Sequence, residues 1–331
     1  MSAMPPLLGD GIRRVFLTGG AGFIGSHVVD ALLPQGYHVT AYDNLANGRR
    51  AFIARHLAAP NFRFVEADCL DAERLAAEMR GHDLVWHLAA NTDIIGSHEK
   101  PSRDLRDCVT ATFNVVEAMR QTGIVPLLFS STGAVYGDLC RDVATSEAAG
   151  PLLPMSTYAA GKIGSEAFIA AYGHVYGLRA WMFRFGNVIG ARLTHGVIFD
   201  FINKLRRDPS ELLILGDGSQ EKNYFLVEEC IEGIAFGFRR IPLTAERPCD
   251  VFNLGTSTVT RVTEIARIVI EEMGLADVKV RIAGMARAWP GDQPRVHITV
   301  DRMRELGWRA RRTSDEAVRV AVRRMLDKPD E

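Results

Sequence analysis

Cysteine is scarce and unpatterned: Cys69, Cys108, Cys140, Cys230 and Cys249 are odd in number and share no metal-binding spacing. That argues against a disulfide framework and a zinc site, and it points to a reducing, cytoplasmic compartment. Long apolar runs are missing, and none approaches the ~20 residues of a membrane span. The leader Met1–Asp10 has no basic region ahead of its short apolar patch, so it reads as a ragged terminus and not a signal peptide. An excess of either charge is missing too. Lysine plus arginine number 39 against 40 acids, which argues against nucleic acid or an anionic membrane as the main partner. Internal repeats and low-complexity segments are also lacking. A chain of 331 residues without these features is expected to be a soluble globule, with one domain of ~150 residues and room for a second.

Glycine, by contrast, is concentrated where it carries information. The run Thr18-Gly19-Gly20-Ala21-Gly22-Phe23-Ile24-Gly25 follows the apolar Val15-Phe16-Leu17, a short buried strand, and leads into Phe23–Leu33, whose apolar residues recur at helical spacing. Strand, glycine-rich turn and helix in that order form a dinucleotide site. Gly19 and Gly22 let the backbone turn tightly against a pyrophosphate, Gly25 lets the helix pack on the strand, and the N–H groups at the helix start bind phosphate charge. Glycine turns also serve as plain punctuation, so the second half of the motif decides. The run Val39-Thr40-Ala41-Tyr42 ends in Asp43, eighteen residues beyond Gly25, where a carboxylate accepts both ribose hydroxyls of an adenosine. That acid repels a 2′-phosphate and favours NAD over NADP. Arg49 and Arg50 are close enough in sequence to keep NADP as the alternative.

Strand-like and helix-like segments alternate through the first half. After Val39–Tyr42 come Phe62–Glu66, a helical Ala72–Met79, Leu84–Leu88, a long helix from about Asp104 to Arg120, Pro126–Ser130, a second long helix around Tyr158–Tyr176, and Ala180–Phe185. Continuous apolar strands separated by such helices imply an α/β fold, a doubly wound parallel sheet covered on both faces. Ligands then bind beyond the carboxyl ends of the strands. A Rossmann-type domain is expected over 12–186. A smaller mixed α/β substrate domain follows over 187–331, part of it returning to the main sheet.

Tyr158-Ala159-Ala160-Gly161-Lys162 sets a phenol and an ammonium four residues apart on one helix face. On an ordinary surface helix such a pair arises by chance. Downstream of a dinucleotide site and of the strand-end hydroxyls Ser130, Ser131 and Thr132, it reads as a catalytic pair. A free phenol, with a pKa of ~10, is a poor base at neutral pH. A neighbouring Lys⁺ and a positive nicotinamide ring are expected to lower that pKa. The phenolate then takes a proton from a sugar hydroxyl while hydride leaves the same carbon. The Thr132 hydroxyl fixes the substrate oxygen.

These residues, with Thr18–His27, Asp43, His87-Leu88-Ala89-Ala90, the segment Ser130–Gly137 and Arg184-Phe185-Gly186-Asn187, resemble the extended short-chain dehydrogenase/reductases, and within them the nucleotide-sugar 4-epimerases, over nearly the whole length. The resemblance implies a tightly held NAD, a UDP-linked sugar, and a homodimer joined through a four-helix bundle. It implies Thr132 as the catalytic hydroxyl, Tyr158 as the base, Lys162 as its partner and Asp68 as the acid on the adenine. The cofactor contacts it implies are Gly19, Gly22, Phe23, Ile24, Gly25, Asp43, Asn44, Asp68, Leu88, Ala89, Ala90, Ser130, Tyr158 and Lys162.

Dehydratases of this family place acids after the threonine, and uronate decarboxylases place Glu just before the Val-Tyr-Gly. Here Gly133 and Ala134 fill those slots and transfer no protons. Removal and return of hydride is the chemistry left, which is epimerisation. Cys108 stands where relatives carry Asn and is read as a packed thiol.

On the sugar side, Lys222 and Arg287 match positions that contact the diphosphate, with Asp292 beside them, and Asn187 matches the asparagine on the sugar–phosphate end. Arg192 sits where some galactose epimerases have histidine, near the expected C6. There a guanidinium holds the carboxylate of a glucuronate, or else it contacts phosphate or only the fold. Gly133 and Ala134 lack the hydroxyls that some uronate epimerases offer. Val296 is small where some relatives have tyrosine, so an N-acetyl sugar stays open. The expected activity is an NAD-dependent 4-epimerase of UDP-sugars, with UDP-glucuronate favoured and UDP-glucose/UDP-galactose the first rival. A net sugar dehydrogenase and a non-catalytic NAD sensor stand behind these.

Overall fold

The computed structural model of the protein describes residues 6–141, 143–285 and 291–327. Its strands are β1 (Arg14–Thr18), β2 (His38–Asp43), β3 (Phe62–Glu66), β4 (Leu84–His87), β5 (Pro126–Thr132), β6 (Arg179–Phe185), β7 (Asn187–Ile189), β8 (Glu211–Ile214), β9 (Glu221–Lys222), β10 (Tyr224–Leu226), β11 (Cys249–Leu254), β12 (Thr260–Arg261), β13 (Lys279–Ile282) and β14 (Arg295–Val296). Seven of them form one parallel sheet in the order β11-β6-β5-β4-β1-β2-β3. After its first residue β1 is wholly buried, and so is all of β4, as strands covered on both faces must be. The direction of winding reverses between β1 and β4, whose residues pair from Val15 with Leu84 to Thr18 with His87. A crevice beyond their carboxyl ends follows from that reversal.

On one face Phe16, Tyr42, Val85, Leu127 and Phe129 pack with Leu75, Met79, Val115, Met119 and Ile169 from three helices. The long helix Thr157–Tyr176 begins where the Ser156 side chain accepts from the Ala159 N–H, and it ends at Gly177 in the left-handed region (φ 79°). The single helix expected over about 104–120 is interrupted. Ser102–Asp104 leads into a π-turn, Leu105–Thr110, before the regular helix Ala111–Thr122. The turn fits where the long helix presents no side chain: a Cβ at Gly161 would stand 2.9 Å from Cys108 Cβ, and one at Gly164 3.1 Å from Val109 Cγ2.

The chain divides into two compact units. The first holds the described residues to Thr132, Ser156–Arg184 and Ile231–Phe252. The second holds Gly133–Met155, Phe185–Cys230 and the described residues from Asn253 onward. Compared with a boundary at 186, Gly133–Met155 lies with the second unit and Ile231–Phe252 with the first, because β11 completes the large sheet beside β6. Within the second unit β7 pairs with β10, β13 with β8, and β9 lies between β12 and β14. Its core joins Phe201 and Leu205, Ile265 and Val269, and Val318 and Val322 from three helices. No helix among the described residues is long and apolar enough to cross a membrane.

Candidate active site

The glycine turn is built by close backbone approach. Gly19 has φ +70°, and a Cβ there would stand 2.9 Å from the Ala89 nitrogen. A Cβ at Gly25 would stand 2.1 Å from the Gly19 carbonyl oxygen. Gly22 caps the Phe23–Leu32 helix with no side-chain acceptor, so the first-turn N–H groups of Phe23 and Ile24 suit an anion. Leu88, Ala89 and Ala90 follow β4 at the switch point, and Ala89 N–H donates to Thr18 Oγ1 at 3.2 Å.

Asp43 ends β2, buried. Its carboxylate accepts from Ala21 N–H (2.9 Å) and Leu45 N–H (2.8 Å), so it also organises the glycine turn. Burial raises its pKa, and those two hydrogen bonds pull it back. Asn44 donates to Asp68 at 2.9 Å, which brings these two residues together beyond β2 and β3. The arginines that kept NADP open are held by their own neighbours. Arg50 pairs with Glu66 at 3.7 Å and lies over Phe64, and Arg49 lies over Phe52. Ser130 Oγ, at the end of β5, is buried with no hydrogen-bond partner among the described residues. An orphaned hydroxyl, a glycine turn closed to any Cβ and a carboxylate beyond β2 together fit a bound dinucleotide.

Thr132 ends β5 and is hydrogen-bonded to the Tyr158 phenol. Lys162, one turn along the long helix, donates from Nζ to the Ser130 carbonyl at 2.8 Å and lies 4.9 Å from the centre of the Phe129 ring. The lysine and a positive nicotinamide ring are together expected to lower the phenol; in the chain alone the influences on it are these. Burial raises the Tyr158 pKa, Cys108 and Asp104 raise it further, and the Thr132 hydrogen bond alone opposes them. The ammonium is directed at a carbonyl, and burial lowers its pKa while Cys108 and Glu166 raise it.

Two buried networks lie behind these groups. His87 meets Thr18 Oγ1 through Nδ1 (2.6 Å) and Thr112 Oγ1 through Nε2 (3.0 Å). Thr112 donates to Ser165 Oγ, which donates to the carbonyls of Gly161 and Cys108. Thr112 therefore accepts from Nε2–H, and Nδ1 accepts from Thr18, a tautomer assigned from its partners. Burial, with Lys162 adding to it, pushes the imidazole pKa down to about 3, so His87 is neutral. In the second network Glu166 takes a two-pronged ion pair from Arg184 (3.0 and 2.6 Å) and a hydrogen bond from Ser131 Oγ (2.5 Å). Sequence reasoning passed over Glu166. Its signal is periodicity, because Tyr158, Lys162 and Glu166 fall four residues apart on one face.

The sugar-side residues Asn187, Arg192, Lys222 and Asp292 lie in the second unit. Lys222, on β9, faces buried Asp292 with Nζ 3.8 Å from its carboxylate, so these two are together. Asn187 opens β7 opposite Tyr224. Arg192 is half-buried in a turn with φ +65°, one of three non-glycine residues with positive φ among those described. Arg287 lies outside the described residues. Gly133 is tightly surrounded: a Cβ would stand 3.1 Å from the Phe185 carbonyl oxygen and 3.2 Å from both Val296 and Ile298, so these would have to give by a few tenths of an ångström. Among the described residues no group of His, Cys, Asp or Glu could hold a metal ion.

A family model described as "NAD dependent epimerase/dehydratase family" matches residues 15–255. A UDP-glucose 4-epimerase of Mycolicibacterium smegmatis is 32% identical over 277 residues, 80% of this chain and 84% of that protein. Among solved structures, a UDP-galactose 4-epimerase is 37% identical with a TM-score of 0.83, covering 95% of this chain and 99% of that one. The Thermus thermophilus UDP-glucose 4-epimerase in complex with NAD is 32% identical with a TM-score of 0.81, covering 93% of this chain and 97% of that one.

Proposed function

Since the chain belongs to the NAD dependent epimerase/dehydratase family, we propose that it interconverts UDP-sugars that differ in configuration at C4. It is an enzyme of that family and uses NAD. When bound, the oxidised cofactor supplies the hydride acceptor and the positive charge that favours the phenolate. Tyr158 takes the proton of the C4 hydroxyl and later returns it to the 4-keto oxygen. Thr132, already bonded to the phenol, holds that oxygen in line. Lys162, held on the Ser130 carbonyl, sets its amine beneath the site.

The observation that carries this reading is the Gly133 slot next to Thr132. Gly133, and Ala134 after it, carry no acid of the kind that dehydration needs, and a Cβ at Gly133 would already press on Phe185, Val296 and Ile298. Proton transfer is left to Tyr158, and one base with one returned proton is what epimerisation requires.

UDP-glucose and UDP-galactose are the substrates favoured by the names of relatives at 32% and 37% identity. UDP-glucuronate is the second reading, and Arg192 favours it. A left-handed backbone at a non-glycine residue costs on the order of 1–3 kcal/mol and tends to be kept at functional sites. A planar guanidinium matches a carboxylate. The test is to incubate the purified protein with a panel of UDP-hexoses and separate the products. Interconversion at C4 without net NADH supports the reading. Net NADH release, or no product from any UDP-sugar, overturns it.

The same reading includes a homodimer. Phe113, Phe168, Val175 and Tyr176 are exposed on the Ala111–Thr122 and Thr157–Tyr176 helices, with Phe113 edge-on to Phe168 at 5.7 Å. Sedimentation of the wild-type protein and of Phe168→Glu measures this: a dimer that dissociates in the variant is expected.

A further inference from the structure

Three consecutive residues of β5 each hold the long helix at a different turn. The Ser130 carbonyl accepts from Lys162, Ser131 Oγ donates to Glu166, and Thr132 bonds to Tyr158. The helix residues are spaced four apart, so the three bonds together fix both the rotation and the axial position of the helix against the strand. Two of them belong to the proposed chemistry. The third, at Glu166, does not, yet it is the most heavily built. Glu166 and Arg184 are both buried and meet through two parallel N–H to oxygen bonds, and Arg184 stands on β6, the strand beside β5.

A buried ion pair is weak support for stability, since apolar residues of similar volume often serve as well; its best-attested use is to fix register. We propose that Glu166, clamped by Arg184 and Ser131, is a positioning residue that sets the register of the Thr157–Tyr176 helix against β5, and so the alignment of Tyr158 and Lys162 on Thr132. The inference rests on the epimerase reading of Tyr158, Lys162 and Thr132. A helix that slips by a fraction of a turn keeps its fold but moves the phenol away from the substrate oxygen. Misplacement of about 1 Å can cost about 10²-fold in rate.

The carboxylate acts on Lys162 as well as on the helix. The groups bearing on that ammonium are Glu166 from its own helix, Cys108 from the π-turn and neutral His87 from β4, with Arg184 behind Glu166. Glu166 favours the charged form, so removing its charge lets Lys162 lose its proton at lower pH.

The test uses the holoenzyme with its best UDP-sugar and compares Glu166→Gln, Arg184→Met and the double variant Glu166→Leu/Arg184→Leu. Register control predicts that kcat falls about 10- to 100-fold in all three, with KM within about twofold. The alkaline limb of the Glu166→Gln profile shifts to lower pH. The double variant melts at or above the wild-type temperature while staying slow. A double variant with wild-type kcat, or singles that keep both kcat and the pH profile, overturns the proposal. Hydrogen exchange reads the clamp without activity. Faster exchange confined to residues 157–166 is expected in Glu166→Gln, and unchanged exchange there overturns the clamp even if the wild-type protein turns over no UDP-sugar. Inactivity of the wild type would refute the epimerase reading alone.

Discussion

Lys162 Nζ donates to the carbonyl oxygen of Ser130 at 2.8 Å, so the ammonium is held by the strand that also carries Thr132. Burial is the largest influence on the Tyr158 phenol, and it lowers the Lys162 pKa as well.

Replacing Tyr158 by Phe removes the proposed proton acceptor and should leave the fold and the glycine turn untouched. Turnover should fall by ~10²–10⁴-fold, the range of a general acid–base group. NAD and UDP-sugar affinity should stay near wild type by calorimetric titration. Activity within about twofold of the parent would show that another group moves the proton.

Asp43→Ala should act twice, because the carboxylate is proposed to hold the ribose and also accepts from Ala21 in the glycine turn. Losing a charged acceptor costs on the order of 1.5–3 kcal/mol, about one to two decades in NAD affinity. Discrimination against NADP should shrink as well. Titration of the cofactor-free protein with both dinucleotides measures this, and an unchanged preference would remove Asp43 from the ribose site.

His87 makes stability depend on pH. Its pKa falls from 6.5 to about 3 on folding, so below pH 6.5 the unfolded chain binds a proton that the native chain refuses. Stability should therefore drop as pH falls from about 6.5 towards 3, by up to about 1.4 kcal/mol per unit, or about 2 kcal/mol by pH 5. His87→Gln should flatten this limb in urea unfolding measured at pH 7 and pH 5. A variant with the parent's acid slope would mean that other groups govern it.

Arg192→His separates the two sugar readings. If the guanidinium grips a carboxylate, the variant should lose activity on UDP-glucuronate by a free energy on the order of 2–5 kcal/mol and keep or gain activity on UDP-glucose. A wild-type enzyme that prefers UDP-glucose, or a variant that loses both activities equally, returns Arg192 to a phosphate or structural role.

Local pattern carried far into this fold. The strand, glycine turn and helix around Gly19–Gly25, the acid ending β2 and the Tyr158–Lys162 pair are each set by spacing within one segment, and each lies in the element its spacing implied. The π-turn was invisible because Ser102–Thr122 has an unbroken helical pattern, and what accommodates the turn is Gly161 and Gly164 on another helix. The hold on Lys162 escaped for a related reason. Spacing puts Lys162 on the right face but does not say that its ammonium finds the Ser130 carbonyl. Lys222 and Asp292 could be named but not paired from sequence, since β9 meets β14 only through long-range strand contacts.

The placing of β11 bears on how this chain can be cut. It is the outermost strand beyond β6, although more than sixty residues separate the two in sequence. A fragment stopped after the Arg184–Asn187 motif would keep the whole dinucleotide fingerprint and still lose that strand. The β6 backbone would then be left as a long, apolar, unpaired edge. Such edges recruit strands from other molecules. The amino-terminal half should consequently precipitate or pair with itself when expressed alone, and a proteolytic nick near 190 should leave the two pieces bound together.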